Sequence, residues 1–221
     1  MGGFRSEEIN LLFESGVFDS IATHVSKCCD EMKKVCFETG QFLFNDENKI
    51  TNRLVEKYLN KGETGLRYIS QTPENFVDEE DKYKGIIDIK VVTSDWFRDT
   101  ENYYTIECKR VDGGKRLNKE FVSNGVSRFV TFPPKYTSQS GKNFMLGYVV
   151  KPISIPRNAA DIDESQSEFL KEVKASPFSL VRSDCSNCFV YSCEYHSDVV
   201  HIQLQHIFYD FSNVIANAQK E

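Results

Sequence analysis

The segment Gly85-Ile86-Ile87-Asp88-Ile89-Lys90-Val91-Val92, followed ten residues later by Tyr103-Tyr104-Thr105-Ile106-Glu107-Cys108-Lys109-Arg110, decides how this chain is read. Both halves are rich in β-branched and aromatic residues and predict two strands, with the polar residues 93–102 turning the chain back between them. Side chains alternate faces along a strand, so Tyr103, Thr105, Glu107 and Lys109 share one face of the second strand, and Ile86, Asp88 and Lys90 share one face of the first. With Asp88 opposite Glu107, two carboxylates and an ammonium meet on one surface. Such a group offers hard oxygen donors to a divalent cation. The competing reading is an ion-pair cluster that only stabilises the hairpin.

Upstream, 4–40 predicts helix, with apolar residues at Val17, Ile21, Val25, Cys28, Cys29, Met32 and Cys36 in steps of three and four, and Gly40 as its stop. Asn45-Asp46 offers an N-cap for a second helix running to about Asn60, striped by Ile50, Leu54 and Tyr58. Glu47 falls on the core-facing side of that helix, where a carboxylate needs a partner. Its alternative role is to complement the helix dipole from the first turn. A short strand at 66–71 follows, and the acidic stretch 72–84 reads as a loop.

Downstream, Asp112-Gly113-Gly114 predicts a turn, 118–130 a helix and 144–150 a strand. Beyond Pro152 and Pro156 the pattern predicts a helix over 163–175, strands over 178–182, 188–195 and 199–207, and a closing helix from Asp210. The reading is an α/β protein in three parts: an N-terminal helical extension (1–44), a core (45–151) and a β-rich α+β extension (152–221) packed on that core.

Whole-chain properties bound what this protein does. The chain has 221 residues, 40% hydrophobic and 13% aromatic, which suits a folded protein and not a disordered one. No apolar run reaches the ~18 residues of a membrane span, so no membrane partner is expected. No signal-peptide pattern opens the chain, and seven cysteines, an odd number, point to a reducing, cytoplasmic setting. The net charge is −6, yet residues 105–151 hold nine Lys/Arg against three acids, a local +6 that leaves −12 elsewhere. A basic patch on an acidic body suits a phosphate-backbone ligand; the bland alternative is a solvated face.

Asp88, then Glu107-x-Lys109 nineteen and twenty-one residues on, with Glu47 on a preceding helix, resembles the PD-(D/E)xK nuclease superfamily. The element order over residues 46–151 resembles that family's restriction-endonuclease-like αβββαβ core with its mixed central sheet. One departure is Ile87, where the family's motif carries proline. The resemblance implies a metal-dependent nuclease hydrolysing phosphodiester bonds, expected to act on DNA. Catalytic residues would be Glu47, Asp88, Glu107 and Lys109. Mg²⁺ or Mn²⁺ would be held by Asp88, Glu107 and the carbonyl of Cys108. Lys115, Arg116, Lys119 and Arg128 would meet phosphates, while Phe129 and Tyr136 are read as packing. The phrases SNGVSRFV and MLGYVV are similar to bacterial proteins of restriction or antiviral defence, and the fold family implies a homodimer joined through the N-terminal helices. The alternative is a catalytically silent nucleic-acid- or protein-binding module on the same fold. Finally, Cys185, Cys188, Cys193 and His196 have zinc-type chemistry but no standard zinc spacing, and are read as reduced and non-ligating.

Overall fold

Strands whose side chains are apolar on both faces need cover on both faces, and this requirement sets the architecture. In the computed structural model, residues 7–62, 64–93, 103–132, 135–136, 141–184 and 187–216 are described (backbone alone at 7–15, 75, 79 and 84). Helix α1 (Glu7–Thr39) leads to α2 (Glu47–Leu54), which continues through a π-helical turn, Val55–Leu59. Strands β1 (Leu66–Val77), β2 (Lys82–Thr93) and β3 (Tyr103–Val111) follow. Next come α3 (Lys115–Glu120), a π-helical segment Phe121–Val126, α4 (Ser127–Val130), β4 (Lys142–Val149) and α5 (Ile155–Phe169). The chain closes with β5 (Lys174–Ala175), β6 (Ser179–Asp184), β7 (Cys188–His196) and β8 (His201–Asp210).

All eight strands form one mixed sheet in the order β1-β2-β3-β4-β8-β7-β5, with β6 also pairing β7. β3, β4 and β8 run parallel, and the remaining pairs are antiparallel. One core lies under α1 and α2 and takes Ile89, Val91, Ile106, Cys108, Phe144, Leu146 and Tyr148 from the sheet. The opposite core lies under α3, α4 and α5 and takes Ile87, Val111, Met145, Val149, Leu204 and Phe208. This is a mixed α/β sandwich. No helix among the described residues is long and apolar enough to cross a membrane.

Four local expectations change. The acidic stretch 72–84 is no loop: β1 runs on to Val77, a 3-10 turn follows, and β2 begins at Lys82. Pro73 is tolerated because β1 is an edge strand, where a missing N–H costs no ladder bond. Helix α5 starts at Ile155 rather than 163, since Pro156 sits in its first turn, where its fixed φ fits and its absent N–H is not needed. No helix starts at Asp210; β8 extends to that residue, and the chain then returns to bridge Leu43 with Ile215. The C-terminal strands also join the sheet edge-on, β8 alongside β4, so β5 to β8 continue the core sheet.

One irregularity positions the site. The β1–β2 register pairs Ser70 with Ile89 and Thr72 with Ile87, but leaves out Gln71 and Asp88 between them. Gln71 has φ +51°, in the left-handed region that costs an L residue about 1 kcal/mol. Past this point the strand faces exchange: Ile89 and Val91 belong to the α1/α2 core and Ile87 to the opposite one. Asp88 sits at the switch. Gln71→Gly should therefore stabilise the protein by roughly 0.5–1 kcal/mol, and Gln71→Val should destabilise it by about 1–2 kcal/mol, read as shifted urea midpoints.

At the sheet centre, a Cβ on Gly147 would stand 2.6 Å from Phe208 Cδ1 and 3.3 Å from Val111 Cγ2. The ring is fixed by Phe121 stacked on it at 5.3 Å. Gly147→Ala should cost about 1–3 kcal/mol by overpacking, measurable in the same denaturant titration.

Candidate functional site

β2 and β3 separate where their carboxylates, Asp88 and Glu107, begin. The ladder runs from Val92↔Tyr103 to Ile89↔Ile106 and stops there. The next pair in register would be Asp88 and Glu107. Instead, the Asp88 side chain takes over from the backbone: its Oδ2 accepts the Cys108 N–H at 2.8 Å. Pairing on the other side of β3 is unbroken, with Glu107 beside Met145 and Lys109 beside Gly147 of β4. Glu107 and Lys109 are thus held by a rigid parallel ladder while Asp88 reaches across the opening.

Glu47 arrives from the other layer. Asp46 caps α2 by accepting the Lys49 N–H at 2.9 Å, which fixes the helix start, and Glu47 follows immediately. Its Oε2 accepts the Arg110 N–H at 3.0 Å, and Arg110 returns the tie by donating from NH1 to the Asn45 carbonyl at 2.8 Å. α2 is therefore pinned to the end of β3 by backbone as well as side-chain bonds.

The Lys109 ammonium occupies the centre. Nζ lies 2.6 Å from Glu107 Oε1, 3.1 Å from Glu47 Oε1 and 4.0 Å from Asp88 Oδ2, and donates to the Cys108 carbonyl at 2.7 Å. Glu107 is fully buried, while Asp88 and Glu47 side chains are 14% and 27% exposed, so the cluster opens to solvent on their side. Burial first, then the Asp88 charge, push the Glu107 carboxyl up to about 7, against the opposing pull of Lys109 and Arg128. For Lys109, burial alone would lower the pKa, but Glu107, Glu47 and Asp88 together hold the ammonium well above its ordinary range.

Two residues complete the wall. Tyr136 donates to Glu107 Oε2 at 2.6 Å, and Arg128 Nε stands 3.3 Å from Glu107 Oε1. Arg128 also donates to the Tyr136 hydroxyl at 2.6 Å, and the Lys135 N–H donates to the Arg128 carbonyl at 2.9 Å. Tyr136, read from sequence as packing, does pack edge-on to Phe129, with centroids 5.2 Å apart. Its hydroxyl nevertheless belongs to the site. No periodicity marks it, because it lies on an irregular segment after Pro133-Pro134.

The residues expected to meet phosphates are divided. Lys115, Arg116 and Lys119 lie exposed on α3, where Arg116 pairs with Glu120 at 2.7 Å and Lys119 lies 5.4 Å over the Phe169 ring. Arg128 is not with them but inside the site. Beneath β3, the Cys108 side chain points into the α1/α2 core and meets the Tyr148 hydroxyl at 3.3 Å, so only its carbonyl faces the cluster. Of the cysteine group, Cys185 lies outside the described residues. Cys188 packs against Ser26 of α1, at 3.3 Å, while Cys193 bonds Ser176 on the other face. Burial pushes the Cys188 thiol up to about 11.

Three carboxylates and a carbonyl converge here, oxygen donors of the kind Mg²⁺ and Mn²⁺ take, with no sulfur or imidazole among them. Comparison with family models, curated proteins and solved structures finds no match to this chain.

The electrostatics carry a signed consequence. Glu107 has a folded pKa raised above its ordinary value of 4.5, so the folded state holds a proton that the unfolded chain releases. Its contribution is full below pH ~4.5 and is lost as pH rises through about 7. Lys109→Met removes the nearest counter-charge and drives Glu107 further toward its neutral form. Relative to wild type, the variant should lose about 3–5 kcal/mol at pH 8, with a much smaller deficit at pH 5, read from denaturant melts at both pH values.

Proposed function

We propose that this chain is a divalent-metal-dependent nuclease on a restriction-endonuclease-like core, with DNA as its substrate. The observation that carries the reading is the convergence of Glu47, Asp88, Glu107 and the Cys108 carbonyl within reach of one cationic group, from α2, β2 and β3. The order α2, β1, β2, β3, α3, β4 supports it, as does the parallel β3–β4 pair that holds Glu107 and Lys109.

Asp88, Glu107 and the Cys108 carbonyl would hold Mg²⁺ or Mn²⁺, with Glu47 at its margin. The ion would supply Lewis-acid polarisation of the phosphate and acidify a bound water. The chain's own groups do the rest. Lys109, held as an ammonium by its carboxylate neighbours, donates hydrogen bonds to the attacking water and to the negative charge that grows on the phosphate. Tyr136 and Arg128 clamp Glu107, fixing which oxygen faces the opening. Lys115 and Lys119, on the exposed side of α3, contact phosphates further along the strand.

A second reading is favoured by one detail. Lys109 Nζ already contacts the atoms that a metal would use, so an internal ammonium neutralises the site in a catalytically silent binding module. Asp88→Asn separates the two readings. Asparagine still accepts the Cys108 N–H through its side-chain oxygen but removes the charge that repels Glu107. The variant should fold and be at least as stable as wild type, consistent with an active site that trades stability for function. With Mg²⁺ or Mn²⁺, wild type should nick or degrade DNA, and Asp88→Asn should be slower by at least about 100-fold, roughly 2.7 kcal/mol of barrier. Calorimetry that detects no Mg²⁺ binding to wild type, together with no cleavage, would leave the silent module standing.

A further inference from the structure

His196 and His201 are the closing pair of the β7–β8 hairpin, and their rings lie 4.4 Å apart between centroids. The turn between them is tied by the Ser197 N–H donating to the Val200 carbonyl at 2.8 Å. Glu194, two residues before His196 on β7, projects from the same strand face, and its Oε2 stands 3.3 Å from His196 Nε2. The nearest ligand atoms of Glu194, His196 and His201 all lie within 4.8 Å of one another. We infer that these three side chains form a binding site for a transition-metal ion of the Zn²⁺ class, separate from the oxygen-donor cluster on β2 and β3.

The chemistry selects the ion. Two imidazoles and one carboxylate suit Zn²⁺, Co²⁺, Ni²⁺ or Cu²⁺ and are poor partners for Mg²⁺. The geometry lowers the cost of assembly. A cross-strand pair and an i, i+2 neighbour place all three ligands on one face of a hairpin whose backbone is already paired, so only side-chain torsions adjust to bring the donors to the ~2.0–2.2 Å of a zinc bond. Three protein ligands leave a fourth position open to water. His196 also lines a cleft of ≈ 970 Å³, together with Asp198, Glu172, Lys174 and Phe132 among others. Lys174, opposite His196 on β5, is exposed, and its flexible stem lets the ammonium turn into water. His196 ended the cysteine-rich segment of the sequence; its partners are instead a histidine across the hairpin and the preceding glutamate.

Titration of the metal-free full chain with Co²⁺, followed by visible absorption, tests this. Wild type should take up about one equivalent with a spectrum that Zn²⁺ abolishes and millimolar Mg²⁺ leaves in place. His201→Asn and Glu194→Gln, both on exposed side chains, should each weaken the apparent Kd about tenfold or more, while Asp88→Asn should leave it unchanged. Co²⁺ binding that survives both hairpin substitutions, or that is lost in Asp88→Asn, would overturn the assignment, as would no binding below about 1 mM, a free energy near 4 kcal/mol.

Discussion

A buried carboxylate beside a second carboxylate is the constraint that the centre of this protein has to satisfy. Glu107 is fully enclosed by the sheet and the helical layer above it, and Asp88 faces it across the opening between β2 and β3. An isolated ion in such a place would cost several kcal/mol and would neutralise itself. Lys109 opposes this by presenting one ammonium to Glu107, Glu47 and Asp88 together. The helix start at Asp46, the Asn45–Arg110 tie and the Tyr136–Arg128 clamp are all arranged around that charge balance. Gly125 lies against the same arrangement: a Cβ there would make ordinary contact with Lys109 Cγ at 3.4 Å but stand 2.5 Å from Met145 Cε, so its bareness leaves room for the Met145 methyl.

The backbone contributes an equally specific device. A regular β1–β2–β3 meander would seal Asp88 into the ladder and turn Ile87 toward the wrong core. The left-handed Gln71 breaks the alternation at this one pair, which sends Ile87 to the α3–α5 side and frees the Asp88 carboxylate to take the Cys108 N–H. The separation of the strands and the faces of the two cores therefore depend on one residue held in an uncommon conformation, as strained positions near functional groups often are.

Much of this was legible in the sequence because it rests on local rules. Alternation put Glu107 and Lys109 on one face, and the Asp46 cap with the Ile50, Leu54 and Tyr58 stripe put Glu47 on the inward side of α2. Long-range closure was not legible. Nothing local tells that Tyr136 returns to Glu107 across a proline break, or that Arg128 turns inward from a basic helix to join it. The acidic stretch 72–84 misled because charge and a proline suggest a loop, whereas an edge hairpin tolerates both. Pro156 misled in the opposite sense, since one residue type breaks a helix interior and begins a helix. The addition of β8 beside β4 is likewise invisible locally, because parallel pairing joins segments about sixty residues apart.

The proposed metal chemistry follows from the incompleteness of the charge balance. Lys109 and Arg128 face three carboxylates, so the cluster carries net negative charge with all of them ionised, and the Asp88 charge adds to burial in raising the Glu107 pKa to about 7. A dication held by Asp88, Glu107 and the Cys108 carbonyl would neutralise more of that charge than the lysine does. A site whose lysine fully satisfied its carboxylates would have little reason to take up a metal, and the Asp88 charge, second to burial in raising the Glu107 pKa, is a repulsion that such an ion would relieve.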